Sequence, residues 1–457
     1  MNHIDLFRLI QRALRIDIFD LNYRQASETA NMYARRHQLF PKSGILKRIA
    51  SFFLHFIKSL IRLTRKRQPS TTPSEIIFFS TSLNQKEAMT PVMEKMKVFT
   101  FIDEDKPGQM PINFPLFWAY FLSIPFILLV IYHYIKATKY QRSTYTYALD
   151  VYWLSYGYYI TSVIWLARLK PKALVVSNDH NMKNRVIAKA ARELKIKTFY
   201  IQHASASHEF PPLSFDYALL DGMAALLKYD SIGKTPTKVY LTGIPKFDST
   251  FSDINTNPQV RKIAICASMR DNVSEIDELH EHIAKHLPDL DITLRVHPSD
   301  RARLATWCEL SVKKGMRFSD SRTINSFQFL KDIDAVIAGL SNILLEAALM
   351  DVYPIYYDFY KSKLDTYGFV ENKLVEYFSE PEQVCEKLKQ LSRHKPSIRM
   401  NTKTYCDTVG TPYDGHSAQL VSHMINALSH ENTDLEAHWT RIPSIQTEAY
   451  QISAAMK

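Results

Sequence analysis

The chain has 457 residues, 46% of them hydrophobic and 23% charged, with a net charge of +11. That length suits two or three domains of ordinary globular composition. Only eleven glycines, and no G-x-x-x-x-G-K-[ST] or G-x-G-x-x-G, argue against long Gly-rich phosphate loops, while the positive charge points to an anionic partner: nucleotide, nucleic acid or membrane surface.

The N-terminal MNHIDLFRLIQRALRID is too charged for a signal peptide, so the chain is expected to stay on the cytoplasmic side. Residues 42–67 carry eight Lys or Arg and no acid. Ile49, Phe52, Phe53, Phe56, Leu60 and Leu63 recur there at helical spacing. Such a basic amphipathic helix is expected to lie on anionic lipid, each nearby cation adding about 1 kcal/mol. Residues 1–74 therefore read as a basic helical extension that ends in the linker QPSTTPS.

From residue 75 an alternation begins. IIFFST (76–81) reads as a buried strand, followed by a helix over 86–96 and a strand over 97–103. The stretch 111–135 holds no Asp, Glu, Lys or Arg and is long enough to cross a bilayer, which takes about 20 apolar residues. Pro111, Pro115 and Pro125 interrupt it, and strands of one sheet flank it. It therefore reads as a buried or monotopic helical insertion, continued by an aromatic-rich helix to residue 169. ALVVSND, a helix over 183–194, TFYIQH (198–203), YALLDG and KVYLTGIP (238–245) complete a first α/β domain, 75–249.

TFSDINTNPQ (250–259) is a polar hinge. The alternation restarts with KIAICAS (262–268), DITLRVHP (291–298), MRFSD, DAVIAGL (334–340) and VYPIYYD (352–358), with helices between them. This is a second domain, 250–380. Helices are expected over 381–430, and 431–457 reads as a polar tail with no structure assigned. The fold class is α/β: two doubly wound parallel sheets facing a cleft, a layout that resembles the GT-B architecture. Four cysteines far apart, with no C-x-x-C, read as reduced core residues.

Ligands of such sheets bind at the carboxyl ends of the strands. Polar residues stand there in both halves: Ser177 to His180, Gln202-His203 and Asp221-Gly222 in the first; Ser268-Met269-Arg270, Arg295 to Pro298 and Ser341-Asn342 in the second. His297, placed before Pro298, can donate to a phosphate oxygen, with Arg295 or Arg301 adding charge. Ser341 is a natural N-cap whose helix start can hold phosphate, and Glu346, one turn on, can reach back to the cleft. Tyr413 and His416 are loop residues without an assigned role.

SNDHNMKNRVIAKAARELKIKTFYIQH, FDYALLDG, LTGIPKFD, LRVHPSD and GLSNILLEAALMDVYPIYYD resemble bacterial surface-polysaccharide transferases of GT-B fold. That group includes CDP-glycerol glycerophosphotransferases, polysialyltransferases and capsule Kdo transferases, and the likeness covers about residues 170–360. It implies that His297 and Ser341 hold the phosphate of a CMP- or CDP-linked donor, with Glu346 on the nucleoside; the strand-end reading adds Pro298, Arg295, Ser268, Arg270 and Asn342 around that phosphate. It also implies a cleft histidine, His203, as base. From the strand-end set itself, Asp179 is a second catalytic candidate, with Asn178 and Gln202 on the acceptor side. Where the group has Gln-His-Gly, this chain has Gln202-His203-Ala204. UDP-N-acetylglucosamine 2-epimerases share the layout, but their Glu-Ala-Gly-x-Arg and Asp-Ser-Gly-Gly loops are here ASASHEF and GLSN.

The expected function is therefore transfer of a sugar, acidic in the manner of sialic acid or Kdo, from a cytidine-nucleotide donor to a surface polysaccharide or lipid-linked glycan. No metal and no cofactor beyond the donor is called for. Expected partners are that donor, the acceptor and an anionic membrane surface met through 42–67 and 111–135, with no nucleic acid. The expected location is peripheral, on the inner face of the cytoplasmic membrane. The alternative from another class is a non-catalytic scaffold of a polysaccharide assembly complex.

Overall fold

The structure, a computed structural model, describes residues 5–28, 43–63, 74–105, 112–269, 271–430, 439–443 and 445–453. Most of the linker and Arg270 lie outside the described residues.

The first sheet contains β1 (Ile76–Ser80), β2 (Thr100–Asp103), β3 (Ala173–Val176), β4 (Lys197–Ile201), β5 (Tyr217–Leu220) and β6 (Lys238–Leu241). They are parallel, in the order β2-β1-β3-β4-β5-β6. The second contains β7 (Lys262–Ala267), β8 (Asp291–Val296), β9 (Arg317–Asp320), β10 (Ala335–Ala338), β11 (Tyr353–Tyr357) and β12 (Glu376–Phe378). These too are parallel, in the order β9-β8-β7-β10-β11-β12. Strands such as IIFFS and AVIA are buried along their whole length because helices cover both faces, so they read as unbroken apolar runs. The order reverses between β1 and β3 and again between β7 and β10. Each reversal splits the loops above it and opens a crevice at the carboxyl ends.

Residues 431–457, given no structure above, contribute two strands. β13 (Trp439–Arg441) and β14 (Ala449–Ile452) form an antiparallel hairpin, and β14 extends the first sheet parallel to β6. The exposed edge of β6 supplies the reason. The Val239 amide donates to Glu448 O at 2.9 Å, and Ala449 and Ile452 turn inward. Two short segments with so few apolar residues carry no legible period. The helix Ser417–Ser429 returns to pack on the first domain, its first amides capped by Asp248 at 3.1 and 2.6 Å.

The N-terminal helices are not a separate extension. Leu9, Ala13, Ile18 and Leu21 share one apolar core with the first sheet and with the 31-residue helix Lys139–Leu169. The helix Ile45–Leu63 packs on that long helix through Phe52, which stacks on Trp153 at 3.9 Å. The 111–135 stretch becomes two helices, Leu116–Ser123 and Ile127–Lys136, parted by a 3-10 turn at Pro125. It is not a buried insertion: only 22% of its apolar window is covered. Gly157 lets the long helix touch Leu116–Ser123, since a Cβ there would sit 2.0 Å from Ala119 O. Three of the four free cysteines are buried, and Cys308 is exposed.

Candidate functional site

The loops after β4, β5 and β6 meet the start of helix Ile343–Leu349 from the second domain. Together they enclose a recess of about 380 Å³ of empty space that opens to solvent. Gln202, His203, Asp221 and Lys246 line it from one side, Asn342 and Glu346 from the other.

Gln202 is a staple. Its Oε1 accepts from the Asp221 amide at 3.0 Å and its Nε2 donates to Ala204 O at 2.9 Å, locking the end of β4 to the end of β5. Ala204 is not among the residues with positive φ, so alanine in place of the group's glycine fits without strain. The fold thus presents His203 to the recess. Burial, with the His180 ring 6.0 Å away, pushes its imidazole down to about 3, so it is neutral at pH 7. Its Nδ1, the Ser205 Oγ and the Asn342 Oδ1 are buried atoms without a hydrogen-bond partner among the described residues.

Lys246, in the 3-10 helix Pro245–Asp253 that follows β6, reaches across the cleft to Glu346 Oε1 at 2.7 Å. Burial lowers its ammonium, but Glu346, Asp221 and Glu87 outweigh that and hold it above the ordinary value. Asp221 is 8% exposed, and burial raises its carboxyl well above the usual range. A raised carboxyl binds its proton in the folded state and releases it in the unfolded one. Its stabilising contribution is complete below about pH 4 and fades as pH rises through the folded pKa. Asp221→Asn should therefore raise Tm at about pH 8 and leave it nearly unchanged at about pH 4, read by thermal melts at both.

Asp179 and Asn178 lie beneath this surface. Asp179 is 1% exposed and accepts from Tyr229 Oη at 2.5 Å and His180 Nδ1 at 2.9 Å. Burial raises its carboxyl, but those bonds more than offset it and leave it below the ordinary value. It stands behind His180 and outside the recess lining, so it orients a ring. Asn178 closes a turn, its Oδ1 accepting from the amides of His180 and Asn181.

In the second domain His297 is exposed at the end of β8. The Ser299 amide donates to its Nδ1 at 3.2 Å, so Nε2 carries the outward proton. Pro298 follows it at the surface. Arg295 does not point at a ligand. It is 5% exposed, donates to Ser319 Oγ and Ile324 O, and lies over the Phe329 ring at 4.5 Å. Ser268 receives the Asp271 carboxylate on its amide at 2.6 Å and the Arg303 guanidinium on its carbonyl. Ser341 accepts from the Ile343 amide at 3.5 Å, while Asn342 occupies the N-cap position.

The fold therefore gathers Gln202, His203, Asn342 and Glu346 in one recess, while His297, Arg295, Ser268 and Ser341 stand outside its lining. Sequence reasoning missed Lys246 altogether and left Asp221 without a role. The signal for Lys246 was its place just after a strand end, in LTGIPKFD.

No family model matches the chain, and no curated protein matches it. Solved structures do. The fold is GT-B-like. A putative UDP-N-acetylglucosamine 2-epimerase from Listeria monocytogenes aligns with a TM-score of 0.53 at 11% identity, over 78% of this chain and 96% of that one. The UDP-GlcNAc 2-epimerase from Neisseria meningitidis bound to UDP-GlcNAc gives 0.50 at 12%, over 77% and 99%. The wall teichoic acid polymerase TagF, soaked with CDPG, gives 0.49 at 12%, over 85% and 99%.

Proposed function

We propose that this protein is a nucleotide-sugar enzyme, and within that class a glycosyltransferase that takes its sugar from a CMP- or CDP-linked donor. The acceptor is a surface polysaccharide or lipid-linked glycan. The carrying observation is the recess itself, lined by a lysine and by residues of both domains that bring three buried polar atoms without a partner among the described residues. Buried polar atoms are normally satisfied, so this set calls for a ligand rich in hydroxyl and anionic groups. The cytidine preference rests on the LRVHPSD and GLSN resemblance.

In the reaction, the acceptor oxygen forms a bond to the anomeric carbon as the bond from that carbon to the donor phosphate breaks. The electron pair departs with the nucleotide, and neutral His203 takes the hydroxyl proton. Lys246 offsets the charge growing on the leaving phosphate, and His297 Nε2, outside the recess lining, is given to the donor phosphate by the LRVHPSD resemblance alone. The fold neighbours that are epimerases favour a second reading, action on a UDP-sugar without an acceptor.

A donor screen with purified protein separates the two. CMP- or CDP-sugar turnover with acceptor supports the transferase, whereas interconversion of a UDP-sugar alone supports the epimerase. His297→Ala should weaken donor binding about tenfold, the worth of one charge-assisted hydrogen bond, with unchanged Tm. Titration calorimetry reads it, and unaltered affinity would remove His297 from the phosphate site.

A further inference from the structure

We propose that helix Ile45–Leu63 and the segment Leu116–Lys136 form a surface that seats the protein on an anionic lipid leaflet without crossing it. The proposal is independent of the chemistry in the cleft.

Helix Ile45–Leu63 has two apolar sides. Phe52 and Phe56 face the protein, stacking on Trp153 and Phe117. Leu46, Leu54, Ile57 and Leu60 face outward, Leu46 being 81% exposed. The side expected to meet lipid is thus partly consumed in packing, and the outward side is apolar again. Leu116–Lys136 repeats the arrangement, with Trp118, Phe121, Leu128 and Ile135 exposed, Leu128 at 74%. The two surfaces are continuous through Phe56, Phe117 and Phe121, whose rings stack in sequence at 5.4 and 6.1 Å. Monomeric soluble proteins rarely leave such contiguous apolar area bare.

Charge selects the occupant. Lys47 and Lys58 on the first helix, Lys136 at the end of the second segment and Lys139 at the start of the following helix are exposed, and residues 42–67 contain no acid. Apolar and aromatic side chains rimmed by lysine match the headgroup boundary of an anionic leaflet. Internal polar bonds oppose a span. Ser123 O accepts from Trp153 Nε1 at 2.7 Å, and Ser123 Oγ accepts from the Gly157 amide at 3.1 Å. These hold the break at Pro125 against the helix Lys139–Leu169, which is itself committed to the sheet.

The seat is also joined to the recess. The helices Ile18–Leu21 and Tyr23–Ala26 pack on Lys139–Leu169. From them the Arg24 amide donates to His180 O at 3.3 Å and Tyr23 Oη to Phe210 O at 3.3 Å. Arg185 donates both to Asp20 and to the Asp179 carbonyl. These bonds tie the N-terminal helices to the loops that carry His180 and Phe210.

The test is co-sedimentation of the full chain with phosphatidylcholine vesicles, with and without phosphatidylglycerol. Binding should require phosphatidylglycerol and be released by alkaline carbonate. Leu54→Ser/Ile57→Ser/Leu128→Ser should lower partitioning about tenfold or more at unchanged Tm. Lys47→Glu/Lys58→Glu, which leaves the apolar packing alone, should lower it as well. A wild-type protein left in the supernatant, or retention after carbonate, overturns the proposal. So does a lipid-free dimer that the serine variant splits, since the face would then belong to a second copy.

Discussion

Replacing Lys246 by Met should lower turnover of the nucleotide-sugar donor about 10²–10³-fold, the usual loss when one preorganised charge at a developing oxyanion is removed. Among the described residues lining the recess between the two domains the lysine is the one cation, and its Glu346 partner is mostly buried. Removing it also leaves that carboxylate unpaired, at a cost of about 1–3 kcal/mol in urea unfolding. The double variant Lys246→Met/Glu346→Gln separates the roles. It should recover stability, because a neutral amide tolerates the site, yet stay inactive. Recovery of turnover in the double variant would make Lys246 a strut between domains with no part in the chemistry.

Gly157→Val should destabilise the protein by about 3–5 kcal/mol. The Cβ would meet Ala119 O at 2.0 Å, Ser123 Oγ at 2.4 Å and Ser123 N at 2.5 Å. Two of these are backbone atoms, and Ser123 is tied to Trp153 and Gly157, so nothing there can rotate away. Urea unfolding followed by intrinsic tryptophan fluorescence measures the loss. A loss under about 1 kcal/mol would mean that the two helices slide apart freely. Loss of this contact should also loosen the apolar seat, because Leu116–Ser123 is held to the domain mainly by the long helix.

Much of this architecture was readable in one dimension. Strands buried on both faces are written as short apolar runs, and the helices between them carry their own periodicity, so the alternation that makes two doubly wound sheets is a local property. β13 and β14 escaped because their reason for existing is the open edge of β6, two hundred residues earlier in the chain. Helix Ile45–Leu63 was legible as a helix, but not which side packs. Phe52, Phe53 and Leu54 are consecutive and apolar, and only contact with Trp153 distinguishes them. Arg295 looked like a phosphate ligand because it ends a strand. Its side chain instead turns to Ser319 and Phe329, a choice made by a neighbouring strand and invisible in LRVHP.

The sequence by itself determined that polar residues would stand at the carboxyl ends of buried parallel strands, His203 and Asp221 among them, because strand ends and strand burial follow from neighbouring residues. Only the tertiary structure decided which of those ends share a recess. Lys246 and Glu346, a hundred residues apart, pair because the loop region after β6 meets the helix after β10. That meeting is made by packing between elements far apart in the chain, with no local period to announce it.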